Sequence, residues 1–152
     1  MKILMVCLGN ICRSPIAEGI LQQKAKEHQL NWVVDSAGTN GFHNGEAPHT
    51  LSQKVAIQNG VDISKQISRK FVIADFELYD KIYVMAADVL MDVKQIAKEK
   101  FDASKIDFLV NELEMGSNKN VPDPWYGNED GFVKVYKLIE KTCDAIIAKY
   151  KY

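Results

Sequence analysis

Apolar positions along the chain change period several times, and each change marks an element. Ile3 to Val6 is an unbroken apolar run, the pattern of a strand buried on both faces of a parallel sheet. Ile16, Ala17, Ile20, Leu21 and Ala25 then recur at helical spacing, which predicts a helix running to about Glu27. Trp32 to Val34 opens a second strand, and Leu51, Val55 and Ala56 mark a helix that Gly60 stops. Lys81 to Ala86 reads as a third strand, followed by a helix with Val89, Leu90, Val93, Ile96 and Ala97 on its apolar face. Ile106 to Val110 supplies a fourth strand. A last helix, from about Gly131, carries Phe132, Val135, Tyr136, Ile139, Cys143, Ile146 and Tyr150 on one stripe. Strands alternating with helices predict an α/β fold of parallel strands joined by right-handed crossovers, with ligands at the carboxyl ends of the strands.

Cys7 stands at that end of the first strand, in the segment Cys7-Leu8-Gly9-Asn10-Ile11-Cys12-Arg13-Ser14-Pro15. Pro15 suits a first helical turn, where a missing N–H costs nothing, and Ser14 suits the place just before it. The loop between can turn its backbone N–H groups inward beneath a helix N-terminus, a geometry that holds an anion. A thiolate, not a thiol, attacks, and a helix N-terminus beside an arginine favours the ionised form. Cys7 is therefore the expected nucleophile, and Arg13 offers a planar guanidinium that grips two phosphate oxygens at once. Gly9 allows close backbone approach, Asn10 suits side-chain bracing or a positive φ, and Ser14 is placed to donate to the Cys7 sulfur.

A second segment, Val121-Pro122-Asp123-Pro124-Trp125-Tyr126-Gly127, holds a carboxylic acid on a loop stiffened by prolines. Cleavage of a phosphate ester needs a proton for the leaving oxygen, and Asp123 is the expected general acid. Trp125 and Tyr126 could wall a cleft for a flat aromatic group.

Together these segments resemble the low-molecular-weight protein tyrosine phosphatases, whose N-terminal C-x-G-N-I-C-R-S-P loop and late D-P-[YW]-Y loop match Cys7 to Pro15 and Asp123 to Tyr126. The resemblance covers essentially the whole chain and includes Val34-Asp35-Ser36-Ala37-Gly38-Thr39, where Ser36 matches a serine that supports the loop asparagine. It implies a three-layer α/β sandwich: a four-stranded parallel sheet with helices on both faces. It further implies a phosphocysteine intermediate, no metal and no other cofactor, with tyrosine-phosphorylated proteins as substrates and inorganic phosphate as product. Phe42 matches a position lining the substrate cleft, where with Leu8, Trp125 and Tyr126 it would make a slot deep enough for a phenyl ring. Leu8, Gly9, Asn10, Ile11 and Cys12 form the phosphate loop. Two departures are expected behind that loop, Lys65 and Ala86, where many members carry a histidine and an aspartate.

Composition narrows the picture further. One domain of 152 residues is long enough to bury a core without staples. A formal charge of −1 gives no general signal for nucleic acid or an anionic membrane. The first strand begins at Ile3, leaving no room for a leader, and no apolar run reaches the ~18 residues of a membrane span. A cytoplasmic monomer is expected. Cys143 lies on an apolar stripe and reads as core. His28, His43 and His49 lack metal-ligand spacing. Cys12 leaves two readings open: a small residue packed beneath the loop, or a partner that forms a protective disulfide with Cys7 after oxidation.

Rival readings each carry a discriminator. Arsenate reductases of this fold need further mid-chain cysteines, and none lies between Arg13 and Cys143. Phosphoarginine phosphatases of the family have threonine where this loop has Ile11. A phosphocysteine carrier of a sugar-transport system has no need of Asp123.

Overall fold

A computed structural model describes residues 1–152 apart from the side chain of Tyr126. Nine regular elements follow one another: β1 (Lys2–Cys7), α1 (Arg13–Glu27), β2 (Val33–Gly38), α2 (Thr50–Gln58), α3 (Asp75–Leu78), β3 (Lys81–Val84), α4 (Ala87–Ala97), β4 (Ile106–Phe108) and α5 (Glu129–Tyr150). The strands form one parallel sheet in the order β2-β1-β3-β4. β1 is central, so its apolar run is buried along its whole length after Lys2.

Successive side chains of a strand point to opposite faces, and β1 divides the core accordingly. Ile3, Met5 and Cys7 face α1, α2 and α5, packing with Ile16, Ile20, Val55, Phe132, Tyr136 and Ile139. Leu4 and Val6 face α3 and α4, packing with Phe76, Val89 and Val93. The result is the expected three-layer arrangement, and it fixes the side of the sheet on which the nucleophilic sulfur stands.

Three boundaries differ from the sequence reading. α1 starts at Arg13 rather than after Ser14, with Cys12 at the cap position and no side-chain cap bond; Pro15 still falls in the first turn, where its missing N–H costs nothing. β3 ends at Val84, although Met85 continues the backbone bonding by donating to Val6 and accepting from Val121. β4 stops at Phe108, because Leu109–Glu112 turns into a 3-10 helix that buries Leu109 and Val110. The short α3 has no periodic signature at all. It forms where the Asp75 carboxylate accepts the Val72 N–H and the Arg69 guanidinium.

Candidate active site

β1 ends at Cys7, and the chain then wraps back on itself before α1 begins. Cys7 Sγ lies 3.0 Å from Ser14 Oγ and accepts the Asn10 N–H at 3.3 Å. Asn10 holds the wrap in both ways its residue type allows. Its φ is +58°, and its side chain donates to Ser14 Oγ (2.8 Å) and Ser36 Oγ (2.9 Å) while accepting the Arg69 N–H (3.0 Å). With the Ser14 oxygen accepting from Asn10, the Ser14 proton is free to point at the sulfur. Ser36 in turn donates to Glu18 Oε1 at 2.7 Å. A continuous hydrogen-bonded line therefore runs Glu18–Ser36–Asn10–Ser14–Cys7. Burial pushes the Glu18 carboxyl up to about 7, against the lowering effect of the Ser36 hydroxyl, with nearby Asp35 adding to the rise.

The outer wall of the loop comes from β2 and the segment before α3. Thr39 and Asn40 donate their N–H groups to the Cys7 and Leu8 carbonyls, both at 3.1 Å. Gly38 permits this approach: a Cβ there would stand 2.8 Å from Leu8 O and 2.9 Å from Asn10 N. Ser68 Oγ donates to Gly9 O at 3.2 Å. Arg69 is itself tied by two hydrogen bonds to the Asp75 carboxylate.

Arg13 is buried, at 4% exposure, and one guanidinium nitrogen donates to Val121 O at 3.0 Å. Its other terminal nitrogen lies 3.8 Å from Asp123 Oδ2. The late loop thus docks on the arginine of the early one across more than a hundred residues of sequence. Asp123 Oδ1 accepts the Trp125 N–H at 3.0 Å and caps the 3-10 turn Pro124–Tyr126. Between the loops opens a cleft of about 280 Å³ with Cys7, Ile11, Cys12 and Arg13 at its base and Leu8, Gly9, Asn40, His43, Asp123 and Trp125 around it. Phe42 stands at its rim, 82% exposed.

A match to the family model for low molecular weight phosphotyrosine protein phosphatases spans residues 2–151. The chain belongs to that family. It is 33% identical to the Homo sapiens low molecular weight phosphotyrosine protein phosphatase over 151 residues, covering 97% of this chain and 94% of the relative. Identity with the Bacillus subtilis low molecular weight protein-tyrosine-phosphatase YfkJ is 35% over 150 residues, with the same coverages. Among solved structures, a protein tyrosine phosphatase from Entamoeba histolytica superposes with a TM-score of 0.90 at 35% identity, covering 99% of this chain and 97% of that one. A Drosophila arginine phosphatase also reaches 0.90, at 30% identity and coverages of 100% and 99%.

Within this phosphatase family fold, neither Lys65 nor Ala86, the two departures expected behind the phosphate loop, makes a side-chain hydrogen bond to that loop. Lys65 is exposed and lines a separate surface groove with Glu18 and Gln66; Ala86 is buried at the start of α4. Ser68, through its hydroxyl, and Arg69, through its backbone N–H, bond to Gly9 and Asn10 of the loop. The structure places Cys7, Leu8, Gly9, Asn10, Ile11, Cys12, Arg13, Ser14, Ser36, Asp123 and Trp125 in or directly behind one cleft, while the Tyr126 side chain lies outside the described residues. Cys12 is a buried thiol, pushed up to about 12 by burial and by the neighbouring Cys7; its carbonyl accepts the Ser52 hydroxyl. Cys143 is fully buried in α5.

Spacing tests His43 and His49 only as metal ligands, whereas His43 lines the cleft and the ring of His49 packs on Trp125. His43 packs over Gly9, whose added Cβ would lie 3.1 Å from the imidazole, and its ring centroid is 5.7 Å from that of Trp125. The signal in the sequence is their place on the polar loop from Gly38 to His49, which is longer than an ordinary connection.

Proposed function

We propose that this chain is a cysteine-dependent protein-tyrosine-phosphatase, one catalytic domain that hydrolyses phosphotyrosine and small aryl phosphates through a phosphocysteine on Cys7. The observation that carries the reading is the convergence on one cleft of a sulfur facing a free serine proton, a buried arginine and a half-exposed carboxyl 3.8 Å from that arginine. The names of the human and bacterial relatives support the same substrate class.

In the first step the Cys7 thiolate attacks phosphorus while Asp123 gives its proton to the tyrosine oxygen, which leaves as the phenol. Arg13 and the loop N–H groups hold the phosphoryl oxygens as charge redistributes. Water then attacks the phosphocysteine, Asp123 takes the water proton, and Ser14 donates to the departing Cys7 sulfur. Inorganic phosphate is released. Neither step calls on a cofactor. The substrates of this reading are tyrosine-phosphorylated proteins met by a cytoplasmic monomer, with no nucleic acid or membrane partner. No helix among the described residues is long and apolar enough to cross a membrane.

The Drosophila relative, named an arginine phosphatase, makes phosphoarginine the competing substrate. Ile11, 7% exposed on the floor of the cleft, favours an aryl ester, since its branched side chain crowds the space beside the phosphate where a guanidinium would have to lie. The test is the ratio of kcat/KM for phosphotyrosine and phosphoarginine peptides in the wild type and in Ile11→Thr. The wild type should prefer phosphotyrosine, and the variant should shift the ratio toward phosphoarginine by about tenfold, the scale of a small steric change in a pocket. A wild type that prefers phosphoarginine would overturn the substrate assignment.

A further inference from the structure

His49 sits where four parts of the molecule meet. Its backbone N–H donates to Ile11 O in the phosphate loop at 2.8 Å. Its Nδ1 accepts the Leu51 N–H at 3.0 Å and so caps α2, which fixes the ring proton, in the neutral form, on Nε2. The same imidazole meets the Trp125 indole edge-on, with centroids 5.4 Å apart at 79°, and lies 4.9 Å from Phe132 of α5 at 31°. Phe132 is buried in the core, so the histidine ring is held between a core side chain and the loop that carries Asp123. Trp125 is bound to Asp123 in turn, through its backbone N–H, which donates to the carboxylate.

We infer that His49 is a positioning residue for the general acid: its ring sets Trp125, Trp125 sets Asp123, and its backbone bond to Ile11 keeps that acid in register with the phosphate loop. The two functions of the side chain can be separated, because capping uses one nitrogen and positioning uses the faces and edge of the ring. Aromatic contacts of this kind are individually weak. Transfer of a proton is nonetheless steep in geometry, and a displacement of about 1 Å can cost about a hundredfold in rate. A loosened Asp123 therefore harms the substrates that need its proton and spares those that do not.

This rests on Asp123 being the acid, and the experiment separates the two. His49→Asn keeps a strong cap and removes the ring; His49→Phe keeps an aromatic ring and removes the cap. For both, with Asp123→Asn as reference, kcat/KM is measured for phosphotyrosine and p-nitrophenyl phosphate, alongside the thermal midpoint. His49→Asn should lose about tenfold more activity toward phosphotyrosine than toward p-nitrophenyl phosphate at nearly unchanged midpoint. His49→Phe should lower the midpoint and leave the ratio of the two esters as in the wild type. Should His49→Asn fail to fold, His49→Ser serves as a second ring-free, cap-competent variant. An unchanged ester ratio in the ring-free variant, or the same change in both variants, would overturn the role of His49. An unchanged ratio in Asp123→Asn would instead overturn Asp123 as the acid.

Discussion

Asn10 bonds to Ser14, Ser36 and the Arg69 amide at once while its backbone holds a φ of +58°. Asparagine tolerates that left-handed conformation better than most residues, so one side chain supplies both the turn and its bracing. Asn10→Ala removes every one of those bonds and leaves buried partners unsatisfied, at a cost of about 1–3 kcal/mol. The expected outcome is a lower thermal midpoint together with weaker binding of inorganic phosphate, measured by calorimetry, because the loop N–H groups no longer converge. Phosphate affinity equal to the wild type would show that Gly38 and Ser68 hold the loop unaided. At this scale the sequence was readable where spacing is short or the motif familiar: Cys7, Asn10, Arg13 and Ser14 fall within eight positions, and Ser36 follows from the resemblance. Ser68, Arg69 and Glu18 were not readable, because their contacts with the loop or with Ser36 cross long stretches of chain and carry no local signature.

The two catalytic loops are elements with different anchors. The early loop hangs from the central strand and is buried, while the late loop hangs on Arg13, Val121 and the His43–Trp125–His49 contacts, with Asp123 partly exposed. A general acid matters in proportion to how badly the leaving oxygen needs a proton, and removing one typically costs about 10²- to 10⁴-fold. Asp123→Asn should therefore slow phosphotyrosine cleavage strongly and p-nitrophenyl phosphate, whose phenolate leaves readily, much less; burst kinetics separate formation of the intermediate from its hydrolysis. Equal losses for the two esters would mean that Asp123 shapes the loop without donating a proton. Long periodic elements such as α1 and α5 were legible because burial on one stripe repeats over several turns. α3 and the end of β4 were not, since four-residue pieces decided by one carboxylate or one turn leave no period to read.

For the whole molecule, the same hydrogen-bonded line that reaches Cys7 ends on a carboxyl whose ionisation costs stability. Glu18 is raised by burial to about 7 from an ordinary 4.5. Between those values the folded state holds a proton that the unfolded state has released, so stability contributed by neutral Glu18 is complete below about 4.5 and is lost as pH rises through about 7. Glu18→Gln removes that ionisation while retaining an acceptor for Ser36. Its thermal midpoint should fall less than the wild type's between pH 5 and pH 8, and a fall as large as the wild type's would place the pH dependence in other groups. The central claim, a covalent phosphatase built on Cys7, is tested most directly by quenching the wild type in acid within milliseconds of mixing with a phosphotyrosine peptide and mapping the phosphate by mass spectrometry. The account predicts phosphate on the sulfur of Cys7, absent from the corresponding peptide of Cys7→Ala, and accumulating further in Asp123→Asn when the ester is p-nitrophenyl phosphate, whose leaving group needs no acid while the attacking water still lacks its base. Phosphotyrosine turnover that persists in Cys7→Ala, or phosphate found on any other residue, would contradict it.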